Sequence, residues 1–159
     1  MANASPPITR PRVVVVMDDP LAKVLELVLR HGRYEDRVTT DRAEFSRLLR
    51  EWTPHIILID LDLHPTFLEL SQTGADKTVP TLVFTRRRDT ALKLRAFEQG
   101  ADDILRIPFL LSEIVARLYA VMRRTQGIEV PLAPRLRLDS VEIDLIEERL
   151  HITTRSPFP

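Results

Sequence analysis

A chain of 159 residues with 44% hydrophobic content has enough apolar material for one compact domain and a modest appendage. Its 23 basic and 23 acidic side chains cancel to a formal net charge of zero, so the chain as a whole carries no electrostatic footprint for nucleic acid. There are no cysteines, which excludes disulfide scaffolds and Cys-based metal sites, and His31, His55, His64 and His151 show no ligand-like spacing. No apolar run approaches the roughly 18 residues of a membrane span, and Val13 to Val16 is too short for a secretory signal core, so a cytoplasmic location is expected.

Residues 1–11, MANASPPITRP, are small, polar and proline-rich and read as a flexible tail. VVVVM (Val13 to Met17) then reads as a buried strand running into Asp18 and Asp19. Pro20 suits the first turn of a helix, and Leu21, Val24, Leu25, Val28 and Leu29 follow at core-facing spacing up to His31 and Gly32. A short strand is expected around Arg37 to Thr39. Asp41 and Glu44 form a capping box ahead of Phe45, Leu48, Leu49 and Trp52, a second amphipathic helix that Pro54 stops.

The third apolar run, Ile56 to Ile59, ends directly in Asp60. Pro65 to Leu70 suggests a short helix, and Pro80 opens the strand TLVF (Thr81 to Phe84), which ends in Thr85. Asp89 to Gln99 reads as a fourth helix closed by Gly100. ADDILRIPF is a short strand broken by Pro108, and a fifth helix from about Ser112 to Arg124 turns Leu111, Val115, Leu118 and Met122 inward.

Strand and helix thus alternate five times with short links, which predicts right-handed crossovers and an α/β fold with a parallel sheet covered on both faces. In such a sheet ligands bind beyond the carboxyl ends of the strands, where Asp18, Asp19, Asp60 and Thr85 would gather. Residues 126–135 look like a linker, with one glycine and two prolines and no helical period. Residues 136–159 alternate loosely between apolar and polar, as the strands of a small antiparallel sheet would. They form either a docked β segment or the start of a second domain.

The order DDP after the first strand, IDL after the third, Thr85 after the fourth, and GADDILRIPF leading into SEIVARLYAVMRR resembles the receiver domain of two-component response regulators, nearest to the winged-helix OmpR/PhoB class. The resemblance spans roughly Arg12 to Arg124 and is most specific in the GADD, PF and SEIVAR segment. It implies a flavodoxin-like, doubly wound sheet of five parallel strands in the order 2-1-3-4-5, with a receiver domain over 12–125. It also implies Asp60 as acceptor of a phosphoryl group from a histidine kinase, Mg²⁺ held by Asp18, Asp19 and Asp60, and Thr85 as the switch hydroxyl. Residues 136–153 resemble the strands that open the winged-helix DNA-binding domain of this class, whose recognition helix would follow, so DNA would be met only through that further domain.

Departures from the family pattern point to altered chemistry. Met17 stands where the first of the paired acids belongs, Ile107 where the family has its lysine, and Ile104 where it has the switch aromatic. Arg106 is one residue off and would point to the other face of the strand. Arg86 replaces a small residue, and Asp62 adds negative charge beside the acceptor. No obvious cation then pairs with a bound phosphoryl group, and Arg86-Arg87-Arg88 reads as a solvated loop.

The expectation is therefore a non-enzymatic, phosphorylation-independent regulatory and dimerisation module, with Mg²⁺ weakly held or absent. The alternatives are a conventional receiver phosphorylated at Asp60 and, remotely, a phosphatase resembling the haloacid dehalogenases through DLDL, Thr85 and Asp102-Asp103. The resemblance further implies a homodimer through the fourth helix, fifth strand and fifth helix, using Arg95, Glu98, Asp102, Asp103, Glu113 and Arg117. Arg95 would pair with Glu113, and Asp103 with Arg117, around an apolar patch of Leu94, Leu110 and Ile114.

Overall fold

The computed structural model describes residues 10–73, 79–127, 135–138, 141–144 and 149–152. Five parallel strands, β1 (Arg12–Val16), β2 (Glu35–Val38), β3 (Ile56–Asp60), β4 (Thr81–Thr85) and β5 (Asp103–Arg106), form one sheet in the order β2-β1-β3-β4-β5. Five helices alternate with them: α1 (Leu21–His31), α2 (Arg42–Arg47), α3 (Thr66–Ser71), α4 (Thr90–Glu98) and α5 (Leu111–Gln126). The doubly wound α/β expectation and its strand order are borne out.

The sheet is central because its middle strands are apolar on both sides. Every residue of β3 and β4 is buried, and alternate residues feed two separate cores. Val13, Val15, Leu58, Leu82, Phe84 and Leu105 pack against α1 and α5. Val14, Val16, Ile57, Ile59 and Val83 pack with Phe45, Phe67, Leu68 and Ala96 on the side of α2, α3 and α4.

Local differences have local causes. On α1 Leu25, Val28 and Leu29 of the expected stripe are buried and Ala22 joins them, while Val24 is 40% exposed. Strand β2 begins two residues earlier than expected and pairs with β1 through Arg12 and Glu35.

Asp41 accepts the Glu44 amide at 2.7 Å. The return arm of that cap is relayed through Thr39, whose oxygen accepts the Asp41 N–H at 3.1 Å and whose hydroxyl donates to Glu44 at 2.7 Å. The helix then widens into a π-helical turn over Leu48–Trp52 and ends on a left-handed Thr53. Trp52 consequently lies at the rim, with the Arg12 and Arg37 guanidinium groups 5.9 and 5.3 Å from its ring centre.

The second half shows the same logic. Helix α4 is capped by Asp89, and α5 buries Ile114, Leu118, Val121 and Met122, with Leu111 and Val115 partly buried beside them. Beyond residue 127, β6 (Arg135–Leu138), β7 (Val141–Asp144) and β8 (Arg149–Ile152) make a three-stranded antiparallel sheet, the kind of sheet expected for the end of the chain. Strand β6 begins at the last residue of the expected linker and approaches α1. Most of the expected tail and linker lies outside the described residues.

Candidate functional site

Strand β3 delivers Asp60 to the carboxyl edge of the sheet, where its side chain is only 1% exposed. A carboxylate at that depth requires partners, and it has them. The amides of Asp62 and Leu63 donate to Oδ1 at 3.1 and 3.4 Å, and Nη1 of Arg86 lies 2.9 Å from Oδ2 and 3.2 Å from Oδ1. The sequence offered no obvious cation for a bound phosphoryl group, and Arg86 read as part of a solvated loop; that reading of Arg86 is corrected, because it pairs with Asp60.

The reason is register. Asp60 pairs with Phe84 across β3 and β4, and side chains two apart on a strand share a face, so the side chain two residues beyond Phe84 rises beside Asp60. The hydrogen bond to Asp60 is the main cause of a raised Arg86 pKa, with the charges of Asp60 and Asp62 adding to it. The guanidinium remains 47% exposed, so water also reaches this pair.

Asp62 organises the end of β4. Its Oδ1 accepts the Thr85 hydroxyl at 2.7 Å, and its Oδ2 accepts the Arg86 amide at 2.7 Å. Nη1 of Arg86 also lies 3.5 Å from Asp62 Oδ2, so one guanidinium joins both acids. Thr85 is thus held by Asp62, and the extra negative charge at Asp62 is satisfied within the site.

The remaining sequence-selected residues are placed differently. Ile107, at the family's lysine position, packs against the core beneath α1 and α5, and Ile104 packs against the opposite core. Asp19 forms a surface ion pair with Lys23 at 3.1 Å. Asp18 is half exposed, its Oδ1 3.4 Å from His64 Nε2 without hydrogen-bond geometry.

Asp18, Asp19 and Asp60 therefore do not assemble as a ligand set, and among the described residues no three His, Cys, Asp or Glu side chains come together to hold a metal ion. The residues present do not fit the Mg²⁺ expected from the resemblance, because the deepest of the three acids is already neutralised by Arg86.

On the expected dimer face, Arg117 reaches Asp103 at 2.8 Å and Glu113 at 3.5 Å within one chain, and these contacts raise its pKa. The Asp103 and Arg117 pairing, expected across a two-fold axis, is intramolecular here. Asp102 Oδ2 accepts the Thr81 amide at 2.8 Å and so ties the start of β4. Glu98 and Arg95 are exposed on α4. Ile114 is 0% exposed, which removes it from the apolar patch, whereas Leu94 and Leu110 are exposed.

A sheet of this order, with an acid ending β3 and a hydroxyl ending β4, has the doubly wound flavodoxin-like architecture that receiver domains share with other α/β proteins. No protein-family profile matches the chain. It is 36% identical over 139 residues to the DNA-binding response regulator MtrA of Mycolicibacterium smegmatis, covering 86% of this chain and 60% of MtrA. It is 32% identical over 150 residues to the transcriptional regulatory protein PrrA of Mycobacterium tuberculosis, covering 91% of this chain and 64% of PrrA.

Among solved structures, a response regulator of Chloroflexus aurantiacus superposes with a TM-score of 0.63 at 31% identity, over 72% of this chain and all of that one. The chain belongs to the response regulator family, and its relatives are of the OmpR class, regulators of transcription rather than enzymes. It spans about three fifths of the length of the curated relatives it matches. Among the described residues no helix is long and apolar enough to cross a membrane.

Proposed function

We propose that this chain is the receiver portion of an atypical cytoplasmic response regulator in which the Arg86 to Asp60 ion pair stands where phosphorylation would act. The observation that carries this reading is the placement of one guanidinium nitrogen within 3.2 Å of both Asp60 oxygens. An incoming phosphoryl group needs a free carboxylate oxygen as nucleophile and a cation to neutralise charge developing on phosphorus. Arg86 covers that oxygen, Ile107 offers no charge in place of the lysine, and Asp19 is paired with Lys23 at the surface. Thr85, tethered to Asp62, is already engaged in the absence of phosphate.

In this reading the domain is a constitutive or otherwise regulated homodimerisation module acting through α4, β5 and α5. DNA is met through a domain that begins near residue 136, in line with the DNA-binding relative. Exposed Leu94 and Leu110 supply apolar area on that face, and exposed ion pairs at its rim add about 0–1 kcal/mol each.

The test is treatment with a small-molecule phosphodonor and Mg²⁺ followed by intact mass, on the wild type and on Arg86→Ser. The wild type should gain no phosphoryl mass. Rapid stoichiometric addition at Asp60 sinks the proposal. If that addition were lost in Arg86→Ser, the arginine would be serving as the missing lysine in a conventional receiver phosphorylated by a kinase.

A further inference from the structure

We infer that the cavity between the β3–α3 connection and α4 is a binding site for a small organic anion with an apolar body. The cavity has a volume of about 270 Å³, and its lining includes the apolar Leu61, Pro65 and Leu92 and the polar Gln99. Arg87 and Arg95 enter it from two different elements. Its size lies just under the roughly 300–1,000 Å³ of sites for drug-sized ligands, which suits a single ring or short chain carrying one anionic group.

Charge decides the class of ligand. Arg95 is exposed on α4 and makes no ion pair among the described residues, and Arg87 is paired only with Asp89 at the surface, at 3.4 Å. The one carboxylate lining the cavity is Asp62, and it is already satisfied by the Thr85 hydroxyl, the Arg86 amide and the Arg86 guanidinium. The lining therefore presents Arg95 and Arg87 beside apolar side chains and one carboxylate whose two oxygens are already taken by donors. A carboxylate or phosphate monoester would pair with the arginines while its body covers Leu61 and Leu92.

Asp62 is also the residue that holds Thr85 and Arg86 in place. Occupancy of the cavity would consequently be felt at the Asp60 network, giving the regulator an input at the point where phosphorylation is blocked. This coupling rests on the reading of the site proposed above, whereas the binding does not.

The test uses amide NMR titration of the full chain with benzoate and phenyl phosphate, with benzyl alcohol and inorganic phosphate as probes lacking the charge or the apolar body. Saturable shifts centred on Leu61, Asp62, Leu92 and Arg95 with the two organic anions are expected, and the charge-free and body-free probes should bind far more weakly. Arg95→Gln, which removes one of the two cations, should weaken binding about fivefold. Shifts scattered over surface arginines, equal binding of benzyl alcohol, or unchanged affinity in Arg95→Gln would overturn the inference. Because no phosphodonor is present, failure here leaves the mass measurement on Asp60 to be judged separately. Phosphorylation of Asp60 alongside normal benzoate binding would remove only the coupling.

Discussion

The Thr85 hydroxyl stands 2.7 Å from Asp62 Oδ1, and its oxygen also receives the Arg87 amide at 3.1 Å. An amide can only donate, so the hydroxyl proton is left for Asp62. Asp62 meanwhile takes the Arg86 amide on its other oxygen, so both its oxygens face donors. Asp62→Asn keeps one acceptor oxygen for the Arg86 amide and can turn its NH₂ to the second lone pair of the Thr85 oxygen, losing the bond from the hydroxyl proton and the charge. Asn should therefore destabilise, but less than Ala, which leaves both donors unmet and should cost about 1–3 kcal/mol in urea denaturation. An Asn variant as stable as the wild type would mean that the two bonds are not made together.

Arg86 and Asp60 should be energetically coupled. In a double-mutant cycle of Arg86→Ala and Asp60→Asn, the coupling should be about 1–2 kcal/mol. That is below the cost of breaking a fully buried pair, because Arg86 is half exposed and two backbone amides continue to serve Asp60. Strictly additive single variants would show that the ion pair is not formed in solution.

Stability should fall on mild acidification because of His55. Burial, and then the nearby Arg12 charge, lower its pKa from the ordinary 6.5. Its Nδ1 accepts the Arg12 amide at 2.9 Å, which requires an unprotonated nitrogen. The unfolded chain takes up this proton more readily than the folded one. The contribution of His55 is thus fully present above 6.5 and is lost as pH falls through its lower folded pKa. Thermal melts between about pH 5.5 and 7 should show this dependence, and it should be reduced in His55→Gln, which keeps an acceptor and does not titrate there.

Ile114 and Leu110, both assigned by their place in the chain to one apolar patch, should behave oppositely. Ile114→Ala empties a fully buried site and should cost about 2–5 kcal/mol. Leu110 is 56% exposed, so its alanine variant should stay within about 0.5 kcal/mol of wild type yet weaken self-association in sedimentation. A Leu110 variant with unchanged self-association would remove this residue from the dimer face.

The parallel sheet and most helix limits were readable because they depend on local and repeating signals, whereas the strand order came with the resemblance to receiver domains. Short β-branched runs such as VVVV and IILI read as strands buried on both sides, Asp41 and Asp89 start helices by capping, and Gly100 follows the helix it ends. Of the site, Asp60 and Thr85 were readable, since strand ends place them on one edge by topology alone. What each side chain does there depends on register between β3 and β4, a long-range relation. It brings Arg86 onto Asp60 and turns Asp62 to Thr85. The burial of Ile114 and the rim position of Trp52 have the same origin, because helix rotation is set by what packs beneath it and composition carries no record of that.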